Sequence, residues 1–190
     1  SSIMATSIIK SDEIRLLNDQ VVMSDGALTG NVTFPAGHVI NYNSTTLDSQ
    51  IGISTTQTGV GTGLSVSFTP KYANSKIVAQ ADLCCGKDGN NLGVGYYIYR
   101  TTPSPTSSSG FDYTNSSFNA SSWTYLGSGS SGVMNGLSIF FEDAPVNNTE
   151  THTYEVYVLS NSSLTTYLNR RGYDTTWTGR SSIAVFEVAQ

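Results

Sequence analysis

Gly63-Leu-Ser-Val-Ser-Phe-Thr-Pro70, followed by Asn74-Ser-Lys-Ile-Val-Ala-Gln-Ala-Asp-Leu83, is the stretch on which the reading of the chain turns. Leu64, Val66 and Phe68 alternate with Ser65, Ser67 and Thr69. A period of two sends the apolar side chains to one sheet face and the hydroxyls to the other. Pro70 has no amide proton for a ladder, so the strand ends there. Lys71 to Ser75 supplies turn residues, and from Ile77 a second extended run puts Ile77, Ala79, Ala81 and Leu83 on a common face. The pair reads as a β-hairpin-like unit of an antiparallel sandwich.

The same pattern recurs outward from this unit. His38–Asn43 reads as a first strand, with Ile51 and Ile53 marking a second piece. After a Gly86–Asn91 turn, Val94-Gly-Tyr-Tyr-Ile-Tyr-Arg100 places Val94, Tyr96 and Ile98 on one face and Tyr97 and Tyr99 on the other. Leu137–Glu142, Thr151–Leu159, Leu164–Leu168 and Ser182–Val188 complete about eight strands separated by turn signals. The expected fold class is all-β: an antiparallel jelly-roll-like β-sandwich head over residues 37–190, preceded by an extended N-terminal arm over residues 1–36.

Composition supports this. Only 12% of the 190 residues are charged, about half the usual share for a soluble domain. Ser, Thr, Asn and Gly carry the polarity, which suits sheets and loops better than long solvated helices. A net charge of −5 opposes phosphate binding, which needs a concentrated Lys/Arg surface, so no nucleic-acid partner is expected. No apolar run has the length of a membrane-spanning helix, and the N-terminus shows no signal-peptide core, so membrane insertion is not expected either. Met4-Ala-Thr6 has the form of a translation start behind Ser1-Ser-Ile3.

The arm differs in character from the head. Ile8, Ile9, Ile14, Leu16, Leu17, Val21, Val22 and Met23 are aliphatic, and Asn18-Asp19 and Asp25-Gly26 are turn pairs that cut any helical pattern short. Ordering such an arm costs backbone entropy, which burial of those side chains returns only if something covers them. A two-stranded ribbon alone is marginal. Identical neighbouring chains are the economical cover; the alternative is a flexible leader.

The residues that could carry chemistry are dispersed. Cys84 and Cys85 are neighbours in a strand, point to opposite faces and lack zinc-site companions. Asp88-Gly-Asn-Asn91 resembles half a calcium loop without its downstream bidentate acid, and reads as a turn. His38 and His152 sit on separate strands, and no Gly-x-Ser-x-Gly elbow is present. Glu142 and Asp143 adjoin at a strand end, while Glu155 and Glu187 lie within strands. The chain is therefore expected to be no enzyme, with no catalytic residue, metal or cofactor.

Loop aromatics are the remaining candidates. Phe111, Tyr113, Trp123 and Tyr125 lie in the long irregular segment 101–135, and Tyr173 and Trp177 in Arg171-Gly-Tyr-Asp-Thr-Thr-Trp-Thr-Gly179. Such rings offer a flat apolar face with a polar edge, suited to sugar rings and protein surfaces alike. They can equally pack their own loops onto the sandwich or onto a neighbouring subunit.

Asn31-Val-Thr-Phe-Pro-Ala-Gly-His-Val-Ile40, the 63–70 strand, Asn74-Ser-Lys-Ile77 and Ser182-Ile-Ala-Val-Phe-Glu-Val-Ala189 resemble a module of virion structural proteins, fibre-like or capsid-decorating, of marine T7-like tailed phages. The resemblance runs from about Gly26 onward, and Gly26-Ala-Leu-Thr-Gly30 is similar to the leader that joins an attachment segment to such heads. The 101–135 insertion and the Cys84-Cys85 pair depart from it. The resemblance implies a homotrimer in the virion, assembled in the host cytoplasm. Its arm would anchor to other capsid or tail proteins and its head would face outward. The alternative it leaves open is the adhesin head of a tail fibre, used for host attachment through a surface glycan.

Overall fold

The structure, a computed structural model, describes residues 13–15, 21–24, 27–28, 34–55, 59–88, 93–102, 132–146, 149–160 and 163–190, with backbone alone for 13–28 and 144–146. The chain divides into two compact units, Ser1–Pro35 and Ala36–Gln190. In the first, β1 (Glu13–Arg15), β2 (Val21–Ser24) and β3 (Ala27–Leu28) form a three-stranded antiparallel sheet in that order. Ile14 pairs with Met23 across it, and Val21 and Val22 belong to β2. Ile8, Ile9, Leu16 and Leu17 lie outside the described residues.

The second unit is an all-β antiparallel sandwich. Its strands are β4 (Val39–Leu47), β5 (Ile51–Thr55), β6 (Val60–Phe68), β7 (Ser75–Lys87), β8 (Val94–Thr102), β9 (Asn135–Val146), β10 (His152–Ser160), β11 (Leu164–Leu168) and β12 (Ser181–Val188). One sheet runs β4-β12-β7-β9, and β5 and β11 extend it beyond β4 and β12; the other runs β6-β10-β8. Both β12 (against Lys76–Asp82) and β11 (against Cys85–Lys87) use the same edge of β7, because β9 occupies the opposite edge along Ser75–Cys85. The long strands pair in a nested manner: β4 with β12, β6 with β10, β7 with β9, and β8 innermost. Successive pairs fall in alternate sheets. That is an antiparallel ribbon rolled on itself, the topology of a jelly roll.

Each alternating stripe meets the others in one core. Leu64, Val66 and Phe68 of β6, Ile77, Ala79, Ala81 and Leu83 of β7, and Val94, Tyr96 and Ile98 of β8 are buried together with Tyr154, Val156, Val158, Ile183 and Val185. Burial of this much branched and aromatic surface is the main term holding two sheets face to face.

One local expectation is corrected. β6 and β7 do not pair as a hairpin: β6 pairs with β10, and β7 pairs with β9, β11 and β12. Both stripes point at the same core, but from opposite sheets. The corner between them begins at Pro70 and includes Asn74 at φ 69°. Glu187, fully buried on β12, holds that corner, accepting hydrogen bonds from Lys71 N (2.8 Å), Tyr72 N (2.9 Å) and Ser75 Oγ (2.7 Å). A second expectation shifts: Gly86 and Lys87 continue β7 instead of opening the turn, because Tyr167 and Thr166 of β11 pair with them.

Where β4 approaches β6, side chains replace a ladder. Asn43 Nδ2 donates to Ser67 O (2.7 Å) and Asn41 Nδ2 to Thr69 O (3.0 Å). Two edge carbonyls are thereby satisfied without recruiting another strand.

Candidate functional site

The segment between β11 and β12 is the most elaborately anchored loop among the described residues. It leaves β11 through Asn169, held at φ 63°, a conformation that asparagine tolerates better than most residues. Asn169 N donates to Cys84 O (2.7 Å), and its Nδ2 donates to Leu47 O (2.7 Å) and Ser49 O (2.9 Å). Its Oδ1 accepts from Ser181 Oγ (2.7 Å), and Gly179 N returns to Asn169 O (2.9 Å), closing the loop at its base. From the β4–β5 connection, Gln50 Nε2 donates to Thr175 O (2.9 Å) and Thr178 Oγ1 (2.6 Å). Two glycines let this loop lie on the end of β7: a Cβ on Gly172 would run into Lys87 O, and one on Gly86 into Arg170 O.

On that frame sit Tyr173 and Trp177, 74% and 59% exposed. The Arg171 guanidinium lies 5.8 Å from the Tyr173 ring centre and 6.0 Å from that of Trp177. Asp174 grips the guanidinium with two bonds, from Nε to Oδ1 (2.9 Å) and from Nη2 to Oδ2 (2.6 Å), and also accepts from Thr176 N (3.0 Å). The bond from Arg171 is the chief reason that the Asp174 carboxyl is drawn down to about 2. Nearby, Arg170 stacks 4.0 Å over the Tyr167 ring, and the Tyr167 hydroxyl donates to Asp88 Oδ2 (2.8 Å). Phe111, Tyr113, Trp123 and Tyr125 lie outside the described residues.

A second feature is the outer face of the larger sheet. The β4–β12–β7 register aligns Tyr42, Phe186 and Val78 in one row, with the Tyr42 and Phe186 rings 5.1 Å apart. Val188 pairs with Val39 in the adjoining row, and Phe140 of β9 stands opposite Gln80 of β7. Val39, Tyr42 and Phe140 are exposed. The Lys76–Glu142 pair (2.6 Å) borders this strip.

A third cluster is buried between β8, β9 and β10. Arg100 Nη1 donates to Asp143 Oδ2 (2.7 Å), which also accepts from the Tyr154 hydroxyl (2.9 Å). The buried His152 ring lies 6.5 Å from that of Tyr154. Burial raises the Asp143 carboxyl, with Arg100 and Tyr154 opposing the shift. Burial lowers His152, and the Arg100 charge lowers it further. The grouping brings together two residues, Asp143 and His152, that seemed unrelated in sequence, and adds Arg100. The missing information was register. Only the buried phase of β10, with Tyr154 and Val156, hinted that His152 faces inward. Among the described residues no group of three or more His, Cys, Asp or Glu side chains is placed to hold a metal ion.

No family model matches the chain, and no curated protein matches it. Among solved structures it is similar to that of infectious bursal disease virus Gt strain, with a TM-score of 0.43 and 12% identity over 93% of this chain and 42% of that chain. It is also similar to the VP2 subviral particle of infectious bursal disease virus, with a TM-score of 0.40 and 12% identity over 93% of this chain and 41% of that one. The chain thus spans about two-fifths of the length of these structures. Its jelly-roll assignment rests on its own strand order.

Proposed function

We propose that the chain is a structural component of a virion. In this reading it is a homotrimer whose N-terminal arm anchors to other capsid or tail proteins and whose jelly-roll head projects outward, as a capsid decoration or a fibre component. It performs no catalysis. The observation that carries the reading is the outer sheet face, where Val39, Tyr42 and Phe140 are exposed beside Phe186, Val78 and Val188. An apolar strip of this kind, bordered by charge, is the ordinary mark of a surface that another protein covers. A sister copy is the economical cover, and the aliphatic arm points the same way. The module-like motifs in residues 26–190 and the rolled ribbon suit a virion part, although fold alone does not assign function.

Light scattering of the full chain tests self-association: three copies are expected, and a mass of one chain overturns it. An antibody against the head tests location. Decoration of intact particles is expected, and absence of the chain from purified virions overturns the proposal. A second reading, an adhesin head for a host glycan, is favoured by the Arg171, Tyr173 and Trp177 group.

A further inference from the structure

The loop between β11 and β12 presents an unusual combination. Tyr173 and Trp177 stand largely in solvent, so they contribute little to the core, yet the loop beneath them is fastened by Asn169 and Gln50 to β7 and to the stretch that joins β4 to β5. Large rings left uncovered on an anchored backbone are prepared for a ligand, because the ordering cost of the loop is met before binding. The chemistry on offer is specific. Two aromatic faces flank one guanidinium. The bidentate Asp174 contact uses two of the five Arg171 donors, leaving three N–H groups, and the carboxylate retains lone pairs. Charge between the rings is cancelled, since Asp174 offsets Arg171; Asp48 pairs with Arg180 nearby at 2.5 Å, and Arg170 lies apart over Tyr167. An acidic ligand would find no uncompensated cation between the rings.

We infer that Tyr173, Trp177 and the Arg171–Asp174 pair form a binding site for uncharged pyranose sugars of a surface polysaccharide. Sugar C–H faces stack on the rings, and ring hydroxyls bond to the remaining guanidinium protons and the carboxylate oxygens. This rests on the adhesin reading and narrows it to a ligand class and a set of atoms.

The test is titration of the 190-residue chain with neutral gluco- and manno-oligosaccharides and with uronate-containing ones, followed by calorimetry and tryptophan fluorescence. Neutral sugars are expected to bind, and Trp177→Ala and Tyr173→Ala each to weaken binding about tenfold or more with the melting temperature unchanged. Asp174→Asn, which frees the Arg171 charge, should shift preference toward uronates. The inference is overturned if no neutral sugar binds, if both ring variants bind as the parent does, or if the loop instead captures a peptide or protein. Adsorption of particles carrying Trp177→Ala separates the two claims. Normal adsorption with lost sugar binding defeats the adhesin reading and leaves the site standing. Lost adsorption without sugar binding in the parent defeats the site and leaves the reading.

Discussion

Ser75 Oγ donates a 2.7 Å hydrogen bond to the Glu187 carboxylate across a separation of 112 residues. The same carboxylate takes the Lys71 and Tyr72 amides, so one side chain of β12 fastens the corner by which the chain crosses between sheets. Removing it leaves the buried Ser75 hydroxyl without its acceptor, at about 1–3 kcal/mol, while the Lys71 and Tyr72 amides lie nearer solvent. Glu187→Ala is therefore expected to lose about 1–3 kcal/mol in urea denaturation, and Glu187→Gln, which keeps one acceptor oxygen, distinctly less. Equal stability of the two variants would show that the corner holds without the carboxylate.

Asp143→Ala leaves the Arg100 charge and the Tyr154 hydroxyl without their shared acceptor. Breaking a buried ion pair from one side costs roughly 3–5 kcal/mol, whereas replacing both partners by apolar groups can be neutral. The double variant Arg100→Met, Asp143→Leu should recover most of the loss. A double variant no more stable than Asp143→Ala refutes this account of the cluster.

His152 faces Arg100, Asp143, Glu150 and Tyr154, and its pKa in the fold is lowered, chiefly by burial. Protonation then favours the unfolded chain. The contribution of His152 is complete above its unfolded value of about 6.5 and is lost as pH falls below it, with a slope of at most about 1.4 kcal/mol per unit. Asp143 acts oppositely: its raised pKa means that protonation in acid relieves a burial penalty. As pH falls below about 6.5, melting temperature should fall with it through His152, and His152→Asn should flatten that fall. An unchanged slope in the variant assigns the effect elsewhere.

Gly172 and Gly86 allow the 170–180 loop to lie against β7, since a Cβ on either meets backbone at Lys87 or Arg170. Gly172→Ala is expected to displace the loop and destabilise the head by about 1–3 kcal/mol, the usual cost of overpacking. Hydrogen exchange localised to 167–180 checks the displacement. Unaltered protection there would mean that the backbone yields easily.

Tyr42→Lys and Phe140→Lys place charge on the apolar strip at exposed positions. Each should leave the fold within about 0.5 kcal/mol of the parent and shift the proposed trimer toward single chains in light scattering. A proposed trimer that persists in the double variant would have its interface elsewhere.

Much of the sandwich was legible because the buried phase of each strand is written into alternation. Ile77, Ala79, Ala81 and Leu83 need no partner to be identified as one face. Alternation in Ser182–Val188 even carried a clue to Glu187, which shares the inward phase of Ile183 and Val185. Tyr173 and Trp177 were visible as loop aromatics from their place in Arg171–Gly179, between two strand patterns. The Arg171–Asp174 clasp was not, because an i, i+3 pair forms only once the loop has turned.

Side-chain periodicity is a property of neighbours along the chain, so the amino-acid order alone settled the class of fold and the inward faces of most strands, though not where β7 ends. Which strand pairs with which depends on contacts among residues up to a hundred and more positions apart. That is why the crossing at Pro70, the meeting of Arg100 with Asp143, and the platform beneath Trp177 were decided only by tertiary structure.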